Sequence, residues 1–591
     1  MFRAFGNPSL DRIFRQMSSQ RRLQLFLLLG VLLLGSLSEL FAIAAILPFL
    51  SLLTGSGSFD FSATRYVFDL LGATSPQDRI VVAAGIFAAA AIIAGGFRIA
   101  LAWMTQSFSF GLGHDLEIAI QTRLLYQPYA YHSVTSSSDI IAAHEKVSNL
   151  IYNVVLPGLF GATAAVTSLF IIAILTYIDL LAAAVAVVGV GLFYVAVTLF
   201  TRVRLERFGS IINSTHALKI RALQESMGGI RDVLIDHSQS VHLSRFERIS
   251  DRLRRAEVRS SFISVTPRFA VEAAGMVLIA ILAILLSSRS ESYATALPVL
   301  GAIALSAQRL LPLLQQVYQG LAQVRIGSAS ASDIAALLEL RIAPELAGAS
   351  VDPLPFHKEI RLKNVGFRYS GRREWALRDI DLTIPRGSRI ALVGRTGSGK
   401  STLADLLMGL LDPSEGRVSI DGIPLNNETK TAWQAQIAHV PQAIFLADAS
   451  IAQNIAFGRF SDEIDMGRVR DAARIAQADE FIDALPDKYD TAAGERGVRL
   501  SGGQRQRIGI ARALYKGAQM LIFDEATSAL DGETESTVFD AIAGIGREIT
   551  LVVIAHREAS IAHCDSVVRL ERGRIIRTDR QPDIEAERHF G

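Results

Sequence analysis

The sequence predicts a bundle of six membrane-spanning helices with long cytosolic extensions, fused to a soluble α/β domain built around a phosphate-binding loop. Three observations carry this. Six apolar stretches, roughly 24–49, 80–104, 155–177, 180–201, 265–287 and 294–317, are each long enough to cross a hydrocarbon core about 30 Å thick. The strand-like run Arg389-Ile390-Ala391-Leu392-Val393 leads directly into Gly394-Arg395-Thr396-Gly397-Ser398-Gly399-Lys400-Ser401. Further short motifs follow in order: Gln442, Leu500-Ser501-Gly502-Gly503-Gln504, Asp524-Glu525 and His556.

Composition agrees with two unlike halves. The 591 residues are too many for one core. Half of them are hydrophobic, and the mean hydropathy of +0.33 is high for a soluble chain. The excess lies before about residue 325, which divides the chain into 1–22, a polar N-terminus; 23–325, the membrane domain; 326–357, a linker; and 358–591, the soluble domain. A net charge of +2 says nothing about nucleic acid, and no interleaved basic and aromatic array suggests such a partner. The single cysteine, Cys564, excludes an intrachain disulfide framework and fits a reducing compartment.

The first run, Leu23 to Leu53, follows Arg3, Arg12, Arg15, Arg21 and Arg22. It is too long for a signal-peptide core and reads as a retained first span with a cytosolic N-terminus. Asp11 to Leu23 is a candidate interfacial helix, or else a basic tail. The stretch 202–259 carries eleven arginines and belongs on the cytosolic side. The stretch 105–154 lies on the same side, whereas 54–79, with a possible short helix Tyr66 to Leu71, lies outside. The two cytosolic excursions read as helical extensions joined at tips, Gln127 to Ser138 and Glu225 to His237, suited to docking on the soluble domains. The charges Glu39, Arg98, Arg268, Glu272 and Arg309 fall inside spans, where ionised groups are costly and by default functional. Arg268 and Glu272 can instead pair at i, i+4. Arg98, Arg268 and Arg309 are the candidate contacts for an anionic substrate, because guanidinium groups bind phosphate or pyrophosphate in a planar fork.

In the soluble half, the glycines of 394–401 let backbone N–H groups face phosphate, and the helix that opens at Thr402 favours its charge. Lys400 is placed to neutralise β/γ oxygens, and the Ser401 hydroxyl to ligate Mg²⁺. Met520 to Phe523 forms a second buried strand, ending in Asp524, a Mg²⁺ ligand through water, and Glu525, which polarises the attacking water. Leu551 to Ala555 is a third strand, ending in His556, placed to reach the γ-phosphate.

On these motifs, residues from about Ile360 to Ile576 resemble an ABC transporter nucleotide-binding domain. The resemblance implies that Tyr369 stacks on adenine, that Gln442 meets Mg²⁺ and the membrane domain, and that Ser501 and Gly503 close on ATP held by the opposite subunit. Gly502 and Gln504 complete that signature. Ser528-Ala529-Leu530-Asp531 looks like the D-loop, and Gly494-Glu495-Arg496-Gly497 is similar to the stretch that senses coupling helices in exporters. Since such a clamp needs two domains, a dimer is implied, most simply of two identical chains. A separate second chain remains an alternative. Six spans followed by one such domain is the exporter arrangement, in the bacterial inner (plasma) membrane with the nucleotide-binding domain cytosolic.

Ile46 to Leu53, Tyr126-Gln127-Pro128-Tyr129, Ala222 to Glu225 with Gly228-Gly229-Ile230, and Arg309 to Tyr318 look like the lipid-linked oligosaccharide flippase group of bacterial ABC exporters. That resemblance implies a polyprenyl-pyrophosphate-linked glycan or related glycolipid, moved from the cytosolic to the outer leaflet at the expense of ATP. The alternatives are an exporter of another lipid, a peptide or a drug, and, more remotely, an ATP-switched membrane regulator that transports nothing.

Overall fold

The computed structural model describes residues 8–54, 68–178, 180–289, 293–342, 352–369, 371–525, 532–544, 548–555 and 561–580. Two units emerge: Met1–Leu125 with Val134–Arg341, and Tyr126–Ser133 with Ile342–Gly591.

The first unit is all helix. After α1 (Pro8–Arg15) come α2 (Ser19–Thr54), α3 (Pro76–Leu125), α5 (Ser137–Leu150), α6 (Leu156–Ile178), α7 (Leu180–Gly228), α8 (Ile230–Ile235), α9 (Gln239–Arg289), α10 (Tyr293–Ile326) and α11 (Ser328–Leu338), while α4 (Tyr129–Val134), between α3 and α5, falls in the second unit up to Ser133. The six apolar stretches fall one each in α2, α3, α6, α7, α9 and α10. Among the described residues, Ser19–Leu53, Pro76–Leu125 and Ser137–Thr176 are long and apolar enough to cross a membrane. The third of these runs from α5 into α6 through a π-helical turn at Ile151–Val155. α3, α7 and α9 span 50, 49 and 51 residues, about 75 Å each at 1.5 Å per residue. That length exceeds a bilayer core, so the polar ends of these helices extend beyond it.

Without a hydrophobic drive between helices inside lipid, close backbone approach and polar contacts must hold the bundle. Gly161 of α6 and Gly320 of α10 provide the approach: a Cβ on Gly320 would lie 2.7 Å from the Pro157 carbonyl oxygen and 3.1 Å from Gly161 Cα. Polar contacts tie α7, α9 and α10 together. Tyr194 Oη donates to Gln315 Oε1 at 2.8 Å, and Tyr318 Oη donates to the Ile263 carbonyl at 3.0 Å.

At the N-terminus, Leu10 and Ile13 are buried, and α1 packs on α11, whose Ala331, Ile334 and Leu338 are buried in turn. Arg12 pairs with Glu339 at 3.0 Å, and Gln16 Nε2 donates to the Leu338 carbonyl. Of the segment 54–79, Tyr66 and Val67 lie outside the described residues, while Phe68 is buried against Ala73 and Ala83. Each of the two tips, Gln127 to Ser138 and Glu225 to His237, contains a short helix, α4 or α8, rather than a bare turn, and Gly229 breaks the helix between α7 and α8.

The second unit holds two sheets. An antiparallel sheet orders β2 (Leu377–Pro385), β1 (Glu359–Phe367), β4 (Glu415–Ile420) and β5 (Ile423–Pro424). The other orders β10 (Arg574–Arg580), β9 (Ser566–Glu571), β3 (Arg389–Val393), β8 (Thr550–Ile554), β7 (Met520–Asp524) and β6 (Ile437–Val440), with β9, β3, β8, β7 and β6 parallel. β8 is buried along its whole length and β7 up to Asp524, as expected where a parallel sheet is covered on both faces. α12 (Lys400–Leu407) packs with the antiparallel sheet around Trp433. α13 (Gly502–Lys516) packs with Leu446, Ile451 and Val469 in a second core, which takes in Ala391, Leu521 and Leu551 of the parallel sheet.

Candidate nucleotide site

Strand register assembles the site. β8 lies between β3 and β7, with Leu392 opposite Ile554 and Asp524 opposite the same residue. Val440 of β6 pairs with Phe523 of β7. The phosphate loop, Asp524-Glu525 and Gln442 therefore all emerge at the carboxyl ends of neighbouring parallel strands, where open α/β sheets bind ligands. His556 follows β8 at the same edge in sequence, but it lies outside the described residues, as does Asp531.

The loop requires glycine for two different reasons. Gly399, at φ +104°, is packed so closely that a Cβ would lie 2.7 Å from Leu377 Cδ2 and 2.9 Å from the Ala376 carbonyl oxygen. Gly397, at φ +80°, has open space where its Cβ would be, so conformation alone demands glycine and leaves room for a ligand. Lys400 is buried, and its Nζ donates to the Gly394 and Arg395 carbonyls at 2.8 and 3.3 Å. Both acceptors are neutral, so the ammonium charge stays available to a phosphate. Ser398 Oγ is buried with no hydrogen-bond partner, a polar atom for which an incoming oxyanion supplies one. Thr402 follows in the first turn of α12, whose N-terminus points its free N–H groups at the loop.

Gln442 Nε2 donates to Glu525 Oε2 at 2.7 Å, so two residues 83 positions apart meet at the end of β7. Glu525 sits at φ +49°, a left-handed conformation costing a non-glycine residue about 1–2 kcal/mol; such strain is typical of functional positions. Ser401, Gln442 and Asp524 offer only oxygen donors, which suits Mg²⁺ rather than a softer metal. Among the described residues, no cluster of three His, Cys, Asp or Glu side chains could hold a metal alone. Mg²⁺ here would take its remaining ligands from phosphate and water.

Tyr369 stands edge-on to Phe367, and its hydroxyl lies 3.1 Å from Thr402 Oγ1. Two residues that spacing did not single out surround it. Asp405 is held in α12 where burial, and then the Asp524 charge, push it up to about 6. Tyr129, on the first tip, has its phenol raised by burial, then by Asp405 and Tyr369. The tip Tyr126–Ser133 thus forms part of the nucleotide-binding unit. A Tyr-Gln-Pro-Tyr run between two helical patterns is visible in the sequence, but its destination is not.

The signature stretch caps α13. Ser501 Oγ accepts from Gln504 N at 3.2 Å, and Gln504 Oε1 accepts from Ser501 N at 2.9 Å, a reciprocal capping box. Gly502 and Gly503 occupy the first turn, where backbone N–H groups have no helical acceptor. This end of α13 belongs to a different core from the phosphate loop. The stretch at Gly494 to Gly497 is a short 3₁₀ turn with Arg496 left-handed at φ +52°.

Inside the spans, Glu39 Oε1 meets Arg98 Nε at 3.1 Å and Arg309 Nη1 at 3.4 Å. All three line a cavity of about 420 Å³ among α2, α3, α6 and α10. Arg268 does not line it and pairs instead with Glu272 at 2.7 Å, four residues along α9.

A phosphate cradle and an acidic strand end in one unit, with a bundle of long apolar helices in the other, define an ATP-hydrolysing membrane transporter. Comparison with known proteins identifies its family. The ABC transporter family model matches residues 377–528. An ATP-dependent lipid A-core flippase of Alkalilimnicola ehrlichii is 33% identical over 474 residues, covering 78% of each chain. One of the same description from Cupriavidus metallidurans is 32% identical over 499 residues, covering 82% of each. Among solved structures, a bacterial Atm1-family ABC exporter with ATP bound matches with a TM-score of 0.78 and 25% identity over 96% of each chain. The chain belongs to the ABC transporter family and is a half-transporter of the exporter type. It is a multi-pass membrane ATPase that couples hydrolysis of ATP, with Mg²⁺, to transport.

Proposed function

We propose that two copies of this chain form a homodimer in the bacterial inner membrane, nucleotide-binding domains in the cytosol. It turns a phosphorylated glycolipid, foremost a polyprenyl-pyrophosphate-linked oligosaccharide, from the cytosolic to the outer leaflet. The observation that carries the substrate class is the pair Arg98 and Arg309, both open to one cavity inside the membrane domain. Arginines at membrane depth are costly, and an apolar drug gives them nothing to bind.

Lys400 and the loop N–H groups would hold the phosphates of ATP, Tyr369 its adenine, and Ser501 and Gly503 of the second copy its γ-phosphate from across the interface. Glu525 would polarise the attacking water, steadied by Gln442, with His556 and Asp531 completing the edge. Bound Mg²⁺, held by Ser401, Gln442 and Asp524, supplies charge neutralisation at the β/γ oxygens. ATP does work by binding the closed clamp better than the open one, and the tip that carries Tyr129 passes closure to the spans.

A second reading has its own support. The curated relatives are named for lipid A-core, also a phosphorylated glycolipid. Proteoliposomes with a fluorescent polyprenyl-pyrophosphate glycan, or with labelled lipid A-core, separate the two. The proposal expects ATP-dependent loss of quencher accessibility for the first and little for the second. The reverse pattern assigns lipid A-core, and transport of neither refutes both.

A further inference from the structure

Glu39 is hard to explain as packing. It lies near the middle of the first apolar stretch and is almost fully buried, its side chain only 8% exposed. Its two partners come from other helices, Arg98 on α3 and Arg309 on α10, and each keeps a large exposed fraction, 52% and 40%. One carboxylate oxygen thus serves two guanidinium groups, and the cluster keeps a net positive charge facing open space. Nearby donors and acceptors are neutral: Ser36 Oγ lies 3.0 Å from Thr167 Oγ1, and Gln308 and Gln316 line the same cavity. A carboxylate that only neutralised buried arginines would be matched one to one and sealed. This one sits behind a half-occupied arginine pair that opens into a space able to hold a headgroup.

We propose that Glu39 is an internal counter-anion, exchanged for the phosphate group of the transported lipid. Without substrate it holds Arg98 and Arg309 together in the geometry a phosphate needs. When a phosphate or pyrophosphate arrives, the guanidinium groups turn to it in bidentate contact, and Glu39 is left behind as a buried, less well paired carboxylate. That cost is charged against binding. It keeps the affinity low enough for release on the far side, since a transport site must bind well enough to load yet weakly enough to empty. The inference deepens the proposed function and rests on its reading of the cavity as a phosphate site.

The test measures equilibrium binding of radiolabelled farnesyl pyrophosphate, with farnesol as the uncharged comparison, to the full chain in lipid nanodiscs. Counter-anion exchange expects Glu39→Gln to bind the pyrophosphate about 5- to 10-fold more tightly, because the competitor for both arginines is gone. Glu39→Asp, which keeps the charge but draws it back by one methylene, should tighten binding about two-fold. It is read by itself if Glu39→Gln does not reach the membrane. Arg98→Gln and Arg309→Gln should each weaken binding about tenfold or more, and none of the four should alter farnesol binding. If the arginine variants weaken binding while Glu39→Gln and Glu39→Asp leave it unchanged or weaken it, Glu39 only positions the arginines and the inference is wrong. If the wild type binds pyrophosphate and alcohol alike and the arginine variants change nothing, the reading of the cavity as a phosphate site fails instead.

Discussion

Ser501→Ala separates what the signature does for the fold from what it does for ATP. In the structure the hydroxyl caps α13 through one bond, from Gln504 N at 3.2 Å, while the reciprocal bond from the backbone N–H of residue 501 to Gln504 Oε1 at 2.9 Å does not need it. Loss of half a capping box should cost about 1 kcal/mol. For a domain of this size that lowers Tm by about 2–4 °C. Loss of a hydroxyl that meets the γ-phosphate across the dimer should instead cost about 100-fold or more in turnover, the scale seen when one preorganised donor is removed. Both quantities come from one preparation, by thermal unfolding without nucleotide and by ATPase rate in nanodiscs. Ser501→Thr, which keeps the oxygen, should preserve the cap. An ATPase loss of only a few-fold, or a Tm drop large enough to explain the lost activity, would refute the assignment of Ser501 to the nucleotide and leave it a helix cap.

Glu525→Gln should keep ATP binding but lower turnover about 10²–10⁴-fold, measured by nucleotide trapping beside phosphate release; unimpaired hydrolysis would move the water-polarising role elsewhere. Gly320→Leu should prevent assembly of the membrane domain, because no side chain fits between α10 and the Pro157–Gly161 turn of α6. Protease protection of the spans would be lost, and a protected variant would show that these helices can separate. Cys564 is buried, and burial pushes its thiol up to about 12, so the reactive thiolate is scarce at neutral pH. Maleimide labelling of the native chain at pH 8 should therefore be negligible and become complete on denaturation; rapid native labelling would contradict the packing around β8 and β9.

Much of the fold was legible because its signals are local. Each apolar stretch is continuous, and the phosphate loop, the acidic pair and the signature each lie within eight residues. Strand register then had only to bring their ends together, as the pairing of Ile554 with Asp524 on one side and Leu392 on the other does. The pair Arg268 and Glu272 was readable for the same reason, since i, i+4 spacing puts both on one helix face. Contacts between distant segments were not readable. Nothing in spacing joins Glu39 to Arg309, 270 residues away, or docks α1 on α11, or carries Tyr129 to Asp405 and Tyr369. Those depend on helix crossing and tip placement, which a single sequence does not encode in any periodicity.

The central claim is that the ATPase is tuned to a phosphorylated glycolipid. The most direct measurement is ATPase activity of the purified full chain in lipid nanodiscs, with and without a polyprenyl-pyrophosphate glycan, beside Glu525→Gln. Stimulation is expected from the glycolipid, none from uncharged hydrophobic drugs or peptides, and none in Glu525→Gln. Equal stimulation by uncharged drugs would contradict it.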